Sequence, residues 1–212
     1  MDLVEHTKHC IIQAKYRLHT LPKEIHDYTG YTGRYTRELY NKICSFENCY
    51  YLEIGTWLGS SSISALYRNR VTATFIDNWS LFGGNRDTLI RALEKYKGRS
   101  TYTLIESDAW KVDVTSLPKY DVYLYDGGHS YTDHYNAIEK YYPCLKDTSI
   151  VLIDDWNWDD VRNGTLDALR DVGATILFSE EIQLSPSETE RMPDHIGKHT
   201  WWNGIGIFVI SK

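Results

Sequence analysis

Carboxylates stand at the ends of five apolar segments that have the length and composition of β-strands. They are Glu53, Asp77, Glu106 with Asp108, Asp126, and Asp154 with Asp155. A single acid in such a place usually caps a helix or lies in solvent. Ligands of open parallel sheets, however, bind where the carboxyl ends of the strands meet. Five successive acidic strand ends therefore predict a ligand site that is lined by carboxylates.

The last two of these strand ends predict a metal site. Neighbouring parallel strands lie about 4.8 Å apart, so Asp126 would approach Asp154 and Asp155 if the fourth and fifth strands are adjacent. Either a divalent cation neutralises such a group or one carboxylate keeps its proton. Three oxygen ligands favour magnesium or manganese over zinc. Because consecutive strand residues point to opposite faces, one of the paired aspartates can instead cap the next helix.

His129 lies three residues after Asp126 in the glycine-rich stretch "YDGGHSY". A loop imidazole is often merely solvated, but this one stands at the same sheet edge as the acids. Histidine titrates near neutral pH and is the side chain that most often acts as a general base. We therefore predict His129 and Asp126 as the catalytic pair. For His134, His195 and His199 we predict no catalytic role.

The turn after the first strand, "EIGTWLGSS", differs from a dinucleotide-binding turn. The second glycine of G-x-G-x-x-G lets the backbone approach a pyrophosphate, and Trp57 occupies that position here. Glu53, just upstream, would repel a phosphate but attract an ammonium group. Asp77, at the end of the second strand, suits ribose hydroxyls. A ligand with a ribose and a cationic amine but no phosphate fits this chemistry, and S-adenosylmethionine is such a ligand.

The elements that must position these residues alternate along the chain. The strand-like runs are "CYYLEIG", "TATFIDNW", "TYTLIES", "YDVYLYDGG", "SIVLIDDW", "ATILFS" and "GIGIFVIS". Amphipathic, helix-like segments separate most of them, which predicts an α/β fold whose parallel sheet is covered on both faces. Residues 1–48 carry only helical patterning and predict a helical cap over a core of residues 49–212 in a single domain. The stretch "SPSETERMPDH" predicts a long loop, either a lid or a solvated excursion.

Composition limits the classes of partner. The chain has 212 residues, 42% of them hydrophobic, and a net charge of -6, so it offers no basic field for nucleic acid or an anionic membrane surface. It contains neither an apolar run of about 20 residues nor a signal-peptide pattern. These features predict a cytoplasmic protein whose partner is neither nucleic acid nor a membrane. A homo-oligomer is compatible with the sequence.

Several motifs resemble those of class I S-adenosylmethionine-dependent methyltransferases: "EIGTWLGSS", "FIDNW", "ESDAW" and "YDGGHSY". The block from "YDVYLYDGGHSY" to "VLIDDW" is similar to macrocin-type sugar O-methyltransferases, in which the Asp of D-G-G-H and an Asp-Asp pair bind a divalent metal. The resemblance covers roughly residues 33–170. It implies a Rossmann-like, doubly wound sheet of seven mostly parallel strands, the last one antiparallel, with an N-terminal helical cap.

The resemblance also implies which residues bind the cofactor. They are Arg37, Glu53, Gly55, Thr56, Gly59, Ser60, Ser61, Asp77, Asp108 and Ala109. Glu53 would meet the amine of the methionine part, Asp77 the ribose, and Asp108 with Ala109 the adenine. Arg37, in the cap motif "TGRYTR", would meet the cofactor carboxylate; the alternative is an arginine on a solvated helix face.

These observations predict a metal-dependent transfer of a methyl group to a hydroxyl of a sugar or glycan. A catechol-like phenol would need the same groups, and a binding module without catalysis could share the fold. Trp57 argues against a dinucleotide oxidoreductase. Five tryptophans could stack on the acceptor or belong to the core: Trp79, Trp156, Trp158, Trp201 and Trp202.

Overall fold

The computed structural model describes residues 1–16, 20–184 and 193–212. Three helices precede the first strand, as the cap prediction requires: α1 (Leu3–Lys15), α2 (Lys23–His26) and α3 (Arg34–Ile43). Most of the predicted loop "SPSETERMPDH" lies outside the described residues. In the described part of the chain, no helix has the length and hydropathy that a bilayer span requires.

Seven strands form one sheet. They are β1 (Cys49–Ile54), β2 (Val71–Asp77), β3 (Thr101–Glu106), β4 (Tyr120–Tyr125), β5 (Leu145–Asp154), β6 (Thr175–Ile182) and β7 (Ile205–Ser211). Their order across the sheet is β3-β2-β1-β4-β5-β7-β6. Strand β7 is antiparallel to both of its neighbours, whereas the pairs from β3 to β5 are parallel. The predicted Rossmann-like sheet with an antiparallel last strand is confirmed.

The connections supply the helices on the two faces of the sheet. They are α4 (Ser60–Leu66), α5 (Arg86–Tyr96), α6 (Tyr131–Tyr141), α7 (Asp159–Asp171) and α8 (Asp194–Gly197). Short 3-10 helices lie at Ala109–Lys111, Val114–Ser116 and Tyr142–Cys144. The helix pairs α6 with α7, α1 with α3, and α3 with α4 pack directly against each other.

The sheet separates two apolar cores. In β5, Ile150 and Leu152 contribute to one core, while Val151 and Ile153 contribute to the other. This follows from the period of two along a strand, and it explains why the strand reads as a continuous apolar run. The first core also contains residues of α1, α3 and α4, whereas the second contains residues of α6 and α7. The cap helices therefore pack on the same face of the sheet as α4.

The strand order reverses between β1 and β4, which is where a doubly wound sheet binds its ligand. The backbone N–H of Asp126 donates to Ile54 O at 2.9 Å, and that of Gly55 donates to Ile76 O at 3.0 Å. Gly55 has a φ of +88°, and a Cβ at this position would lie 1.9 Å from Asp126 O. Only glycine fits here, because the turn after β1 passes so close to the end of β4.

The cap is held by a buried carboxylate. Glu38 of α3 accepts hydrogen bonds from the backbone N–H groups of Thr20 and Leu21, and it lies 2.9 Å from Nε2 of His26 and 3.6 Å from Nζ of Lys42. Burial alone would raise its pKa, but the hydrogen bonds from His26, Thr20 and Leu21 outweigh burial and hold the pKa at about 2. The network ties the segment before α2 to α3.

Candidate active site

A cleft of about 360 Å³ opens at the carboxyl ends of β1, β2 and β4. Its volume lies at the lower end of the range that is typical of small-molecule sites. Seven of the residues predicted from the sequence line it: Gly55, Asp77, Asp108, Ala109, Asp126, His129 and Asp155. The other predicted residues do not line it: Arg37, Glu53, Thr56, Gly59, Ser60, Ser61 and Asp154.

Asp77 fixes the turn that follows β1. Its Oδ2 accepts from the backbone N–H of Trp57 at 2.7 Å and from the hydroxyl of Thr56 at 3.4 Å. Its Oδ1 accepts from the backbone N–H of Trp79 at 2.6 Å. Since each carboxylate oxygen has two lone pairs, capacity remains for the hydroxyls of a ligand. Asp108 lies beyond the end of β3 and accepts from the backbone N–H of Trp110 at 3.0 Å.

Trp57 forms a wall of the cleft together with the cap. Its ring stacks on Tyr31, with ring centroids 4.9 Å apart and planes 4° apart, and Phe82 meets both rings edge-on. The backbone φ of Trp57 is +43°, an unusual value for a tryptophan. Tyr31 precedes α3 and Phe82 follows β2. The indole is therefore held in place from both sides by residues that are distant in sequence.

The N-terminus of α4, where a dinucleotide fold binds pyrophosphate, is covered by the cap. The hydroxyls of Thr32 and Ser60 lie 2.8 Å apart. A Cβ on Gly30 would lie 2.2 Å from Oγ of Ser60, which shows how closely the loop before α3 approaches. Ser60 and Ser61 are buried. This cover, together with Trp57, leaves no exposed helix N-terminus for a pyrophosphate at this turn.

Glu53 lies beneath the turn and is fully buried. Its carboxylate accepts from the hydroxyls of Tyr51, Ser61 and Ser62 at 2.8, 2.6 and 2.9 Å. Burial raises its pKa to about 7, while the three hydroxyl hydrogen bonds lower it only in part. These partners carry no positive charge, so the carboxylate remains costly to ionise. Its predicted role toward a ligand amine stays a prediction.

His129 and Asp155 form a hydrogen-bonded pair in the cleft. Nε2 of His129 lies 2.7 Å from Oδ2 of Asp155, and Nδ2 of Asn203 donates to Oδ1 of Asp155 at 2.7 Å. The ring of Trp158 packs edge-on against the imidazole, with centroids 4.7 Å apart. Asp155 has a φ of +57°, so the chain turns sharply at the end of β5. The imidazole is thus oriented by both a carboxylate and an indole.

Asp126 completes a group of three candidate metal ligands with His129 and Asp155. One ligand atom from each residue lies within 4.8 Å of the others. The prediction from the sequence had Asp154 in place of His129. Asp154 is buried behind the cleft, where it accepts from the hydroxyl of Tyr40 at 3.4 Å and from the backbone N–H of Asp155 at 2.9 Å.

The alternative that one of the paired aspartates caps the next helix is wrong. The residue at the N-cap of α7 is Trp158, and it makes no side-chain cap hydrogen bond. Both Asp126 and Asp154 have pKa values raised well above the usual range, by burial first and then by the negative charges of neighbouring carboxylates. The cluster therefore carries acidic groups without enough positive charge to balance them.

Arg37 lies in the cap and outside the cleft. It is 2% exposed, so the alternative of a solvated helix face is wrong. Its guanidinium donates to the backbone carbonyls of Ile25, Tyr28 and Thr32 at 2.7, 2.9 and 3.0 Å. Burial lowers its pKa to about 10. In this position, Arg37 holds together the loop between α2 and α3; its predicted contact with the cofactor carboxylate stays a prediction.

None of the five tryptophans that were candidates for stacking on the acceptor lines the cleft. Trp156, Trp201 and Trp202 are at most 4% exposed and belong to the core. Trp158 touches His129, whereas Trp79 donates from Nε1 to the carbonyl of Trp57 at 2.9 Å. His134 lies on α6, and burial lowers its pKa to about 3.

Sequence reasoning missed several residues of the site. Tyr31, Phe82 and Trp110 line the cleft and are 44%, 66% and 38% exposed. Asn203, which supports Asp155, comes from the segment before β7. Phe82 carried a signal together with Leu81, because adjacent exposed apolar side chains form the kind of contiguous patch that marks a binding surface.

Comparisons with known proteins agree with this geometry. The model of a family described as a methyltransferase domain matches residues 52–156, which include the ends of β1, β2, β4 and β5. No curated protein sequence matches the chain.

Solved structures of methyltransferases share the fold. SMU.776, described as a methyltransferase in complex with SAH, has a TM-score of 0.57 at 12% identity over 87% of this chain and 50% of that one. PH1948 from Pyrococcus horikoshii, described as an RNA methyltransferase, has a TM-score of 0.54 at 15% identity over 97% of each chain. A protein from Klebsiella pneumoniae that is described as an O-methyltransferase has a TM-score of 0.50 at 12% identity over 100% of this chain and 91% of that one.

The chain spans about half the length of SMU.776, of a second methyltransferase structure from Streptococcus mutans and of TrmN from Thermus thermophilus. At such low identity, the likeness concerns the fold, and the neighbours include both an O-methyltransferase and an RNA methyltransferase. They therefore do not specify the acceptor. The family match concerns residues 52–156, and the solved structures show that the fold is shared with methyltransferases.

Proposed function

We propose that this protein transfers a methyl group from S-adenosylmethionine to a hydroxyl oxygen of a small molecule, with a sugar or glycan as the preferred acceptor class. The observation that carries the proposal is the meeting of Asp126, His129 and Asp155 in the cleft, with ligand atoms within 4.8 Å of one another. A hydroxyl is a poor nucleophile at neutral pH. A base beside a cation-binding group addresses that difficulty.

The residues of the cleft fit the proposed methyl donor. Asp77 has free lone pairs for ribose hydroxyls, and Phe82 and Trp110 offer apolar surface for an adenine. Glu53, whose pKa is raised to about 7, gains a counter-charge if an ammonium group comes near the turn. S-adenosylmethionine, when bound, supplies the methyl group on a sulfonium sulfur.

We propose His129 as the group that accepts the proton of the acceptor hydroxyl. With its own proton on Nε2, the imidazole donates to Asp155 at 2.7 Å, which leaves the lone pair of Nδ1 to receive the acceptor proton. Asp155 then stabilises the imidazolium that forms, and Asn203 keeps the carboxylate in place. The enzyme's further task is to hold the hydroxyl oxygen in line with the methyl group.

We also propose that the cluster binds a divalent cation. Asp126 and Asp155 would hold it, while the lone pair of His129 Nδ1 stays available for the proton of the acceptor hydroxyl. A bound cation would supply charge that lowers the pKa of that hydroxyl. The excess of acidic groups, which raises the pKa of Asp126, supports this part of the proposal. Carboxylate ligands of this kind favour magnesium or manganese over zinc.

The first test is calorimetry with S-adenosylhomocysteine and with NAD, since the proposal requires binding of the first and not the second. Methyl transfer is then measured with a panel of sugars, glycans and catechols, in the presence of manganese or EDTA. Turnover on sugars that EDTA abolishes would support the whole proposal. Methylation of catechols alone would overturn the acceptor class, and full activity in EDTA would overturn the metal and leave His129 as the only base.

A further inference from the structure

A second cavity, of about 800 Å³, lies beside the cleft and has the opposite charge. Four permanently cationic side chains line it: Lys23, Arg34, Arg37 and Lys198. Among the described residues, Asp27 is the one carboxylate that lines it, and it pairs with Lys23. Such a concentration of positive charge is unexpected in a chain with a net charge of -6. We name this cavity the basic pocket.

Three segments of the chain build the basic pocket. The backbone N–H of Arg34 donates to the carbonyl of Lys198 at 3.0 Å, and that of Tyr35 donates to the carbonyl of Thr200 at 2.9 Å. The first turn of α3 is therefore attached to the segment after α8. The loop between α2 and α3 closes the third side, and Arg37 supports this loop from below. The cations thus project from backbone that is held in place.

Both arginines of the basic pocket, Arg34 and Arg37, have N–H groups that can still donate hydrogen bonds. Nε of Arg34 is buried and has no hydrogen-bond partner among the described residues, a situation that normally costs free energy. Arg37 uses three of its N–H groups for backbone carbonyls, and a guanidinium has five. An anionic oxygen in the pocket would satisfy these donors. Phosphate and carboxylate are the groups whose geometry matches such a fork.

The basic pocket and the acidic cleft share the stacked pair of Tyr31 and Trp57 as a common border. Among the described residues, no lysine or arginine lines the cleft. An anionic group is therefore repelled from the cleft and attracted to the pocket. A molecule that carries both a hydroxyl and an anionic group would be oriented across the border, with its hydroxyl toward His129.

We propose that the basic pocket binds a phosphate or carboxylate group of the acceptor. The assignment to the acceptor rests on the proposed methyl transfer, whereas anion binding itself does not. The pocket would thus make the enzyme selective for an acidic small molecule, such as a sugar phosphate or a sugar acid, over the neutral sugar of the same size.

The test is a set of titrations of the full chain that are followed by tryptophan fluorescence, because Trp57 borders the pocket. The ligands are inorganic phosphate, glucose 6-phosphate, glucuronate and glucose. We expect saturable binding of the anions and no binding of glucose at the same concentrations. Stronger binding of glucose 6-phosphate or of glucuronate identifies the anionic group. Binding that does not distinguish glucose from the two acidic sugars would overturn the proposal.

The matched variants are Arg34→Gln and Lys198→Gln, with Arg99→Gln as the control. Arg99 is exposed and does not line the pocket. Loss of a hydrogen bond to a charged group should weaken anion binding about 10-fold or more in the first two variants. The control should bind as the wild type does. An equal loss in all three variants would reveal a general charge effect and would overturn the site.

A competing occupant is the carboxylate of the methyl donor. S-adenosylhomocysteine carries this carboxylate, and methylthioadenosine lacks it. We expect Arg34→Gln to bind both compounds as the wild type does. If the variant loses affinity for S-adenosylhomocysteine alone, the pocket belongs to the donor and the proposal is overturned. If the wild type binds phosphate but neither adenosyl compound, the anion site stands while its assignment to a methyl acceptor fails.

Discussion

Glu38 in the cap and Glu53 beneath the cleft are both completely buried, yet their pKa values move in opposite directions. The pKa of Glu38 falls to about 2 and that of Glu53 rises to about 7. Glu38 lies beside a histidine and a lysine and accepts two backbone hydrogen bonds. Glu53 is surrounded by hydroxyls alone.

The opposite pKa shifts distinguish Glu38, a structural acid, from the acids near the cleft, which lack a counter-charge. The cap has its cations within the chain, so its carboxylate is ionised and stabilises the fold. Around the cleft, the pKa of Asp126 is also raised, and the neighbouring carboxylates add to the effect of burial. This arrangement costs stability. A cationic ligand, either the ammonium group of the methyl donor or a metal ion, would remove that cost.

The largest expected effect concerns the proton acceptor of the cleft. His129→Ala should lower the turnover number by about 10² to 10⁴, the usual range when general-base help is lost. The affinity for S-adenosylhomocysteine should hardly change, because the imidazole faces Asp155 and the open side of the cleft. Steady-state kinetics and calorimetry measure the two quantities.

The control for this variant is His9→Ala, since His9 is exposed on α1, far along the chain from the cleft. It should retain full turnover. Near-normal turnover of His129→Ala at neutral pH would remove His129 from the mechanism and leave the deprotonation to the metal site.

The second effect tests the structural acid. Glu38→Gln should destabilise the protein by about 3 to 5 kcal/mol at pH 7, because it removes the buried negative charge that pairs with His26 and Lys42. The pKa of Glu38 is lowered in the fold, so its contribution is present above its usual value of 4.5 and is lost as pH falls toward about 2.

Urea unfolding of Glu38→Gln and of the wild type at pH 7 and at pH 3 measures this difference. The gap between the two proteins should shrink at the lower pH. A gap that does not depend on pH would show that Glu38 acts through packing and not through its charge.

The strand-end residues could be predicted because their position depends on local sequence alone. Asp77 and Asp126 stand at the ends of apolar runs, and the sheet edge brings them together whatever the loops do, while His129 follows Asp126 by three residues. The side on which Asp154 and Asp155 lie could not be predicted, because it depends on the φ of +57° at Asp155. A positive φ is uncommon for a residue other than glycine, so the pattern "LIDDW" does not identify which aspartate adopts it.

The contacts that the cap and the C-terminal segment contribute to the site could not be predicted either. Tyr31 stacks on Trp57 from 26 positions earlier in the chain, and Asn203 reaches Asp155 from 48 positions later. Contacts of this kind arise from tertiary packing, which single-sequence patterns do not encode. For the same reason, the burial of Arg37 against three carbonyls was not visible in the motif "TGRYTR".

The third expected effect concerns Glu53, whose replacement should change the stability of the protein in the opposite direction from that of Glu38. Glutamine keeps the shape of Glu53 but cannot ionise, so Glu53→Gln should be more stable than the wild type by about 2 to 3 kcal/mol above pH 7. The raised pKa means that Glu53 favours the fold below its usual value of 4.5, and that this contribution is lost as pH rises toward about 7.

Thermal unfolding at pH 4 and at pH 8 checks the sign, and Glu139→Gln on the exposed surface of α6 is the control. The same variant should bind S-adenosylhomocysteine more weakly, since the amine loses its counter-charge. A variant that is less stable at pH 8 than the wild type would show that the hydroxyl hydrogen bonds of Glu53 outweigh its burial.

The smallest expected effect concerns Asp77, at the edge of the cleft. Its carboxylate supports the turn after β1 and is also proposed to bind the ligand. Both oxygens of Asp77 accept backbone N–H groups, from Trp57 and from Trp79. An asparagine has one oxygen only, so Asp77→Asn turns an amide donor toward one of these N–H groups and loses acceptor capacity for a ribose. We expect the affinity for S-adenosylhomocysteine to fall by about 1 to 2 kcal/mol, the scale of one hydrogen bond to a charged group.

The control is Glu106→Gln at the end of the neighbouring β3, which is exposed and does not line the cleft. Calorimetry should show unchanged affinity for that control, and an equal affinity in Asp77→Asn would restrict Asp77 to the support of the turn.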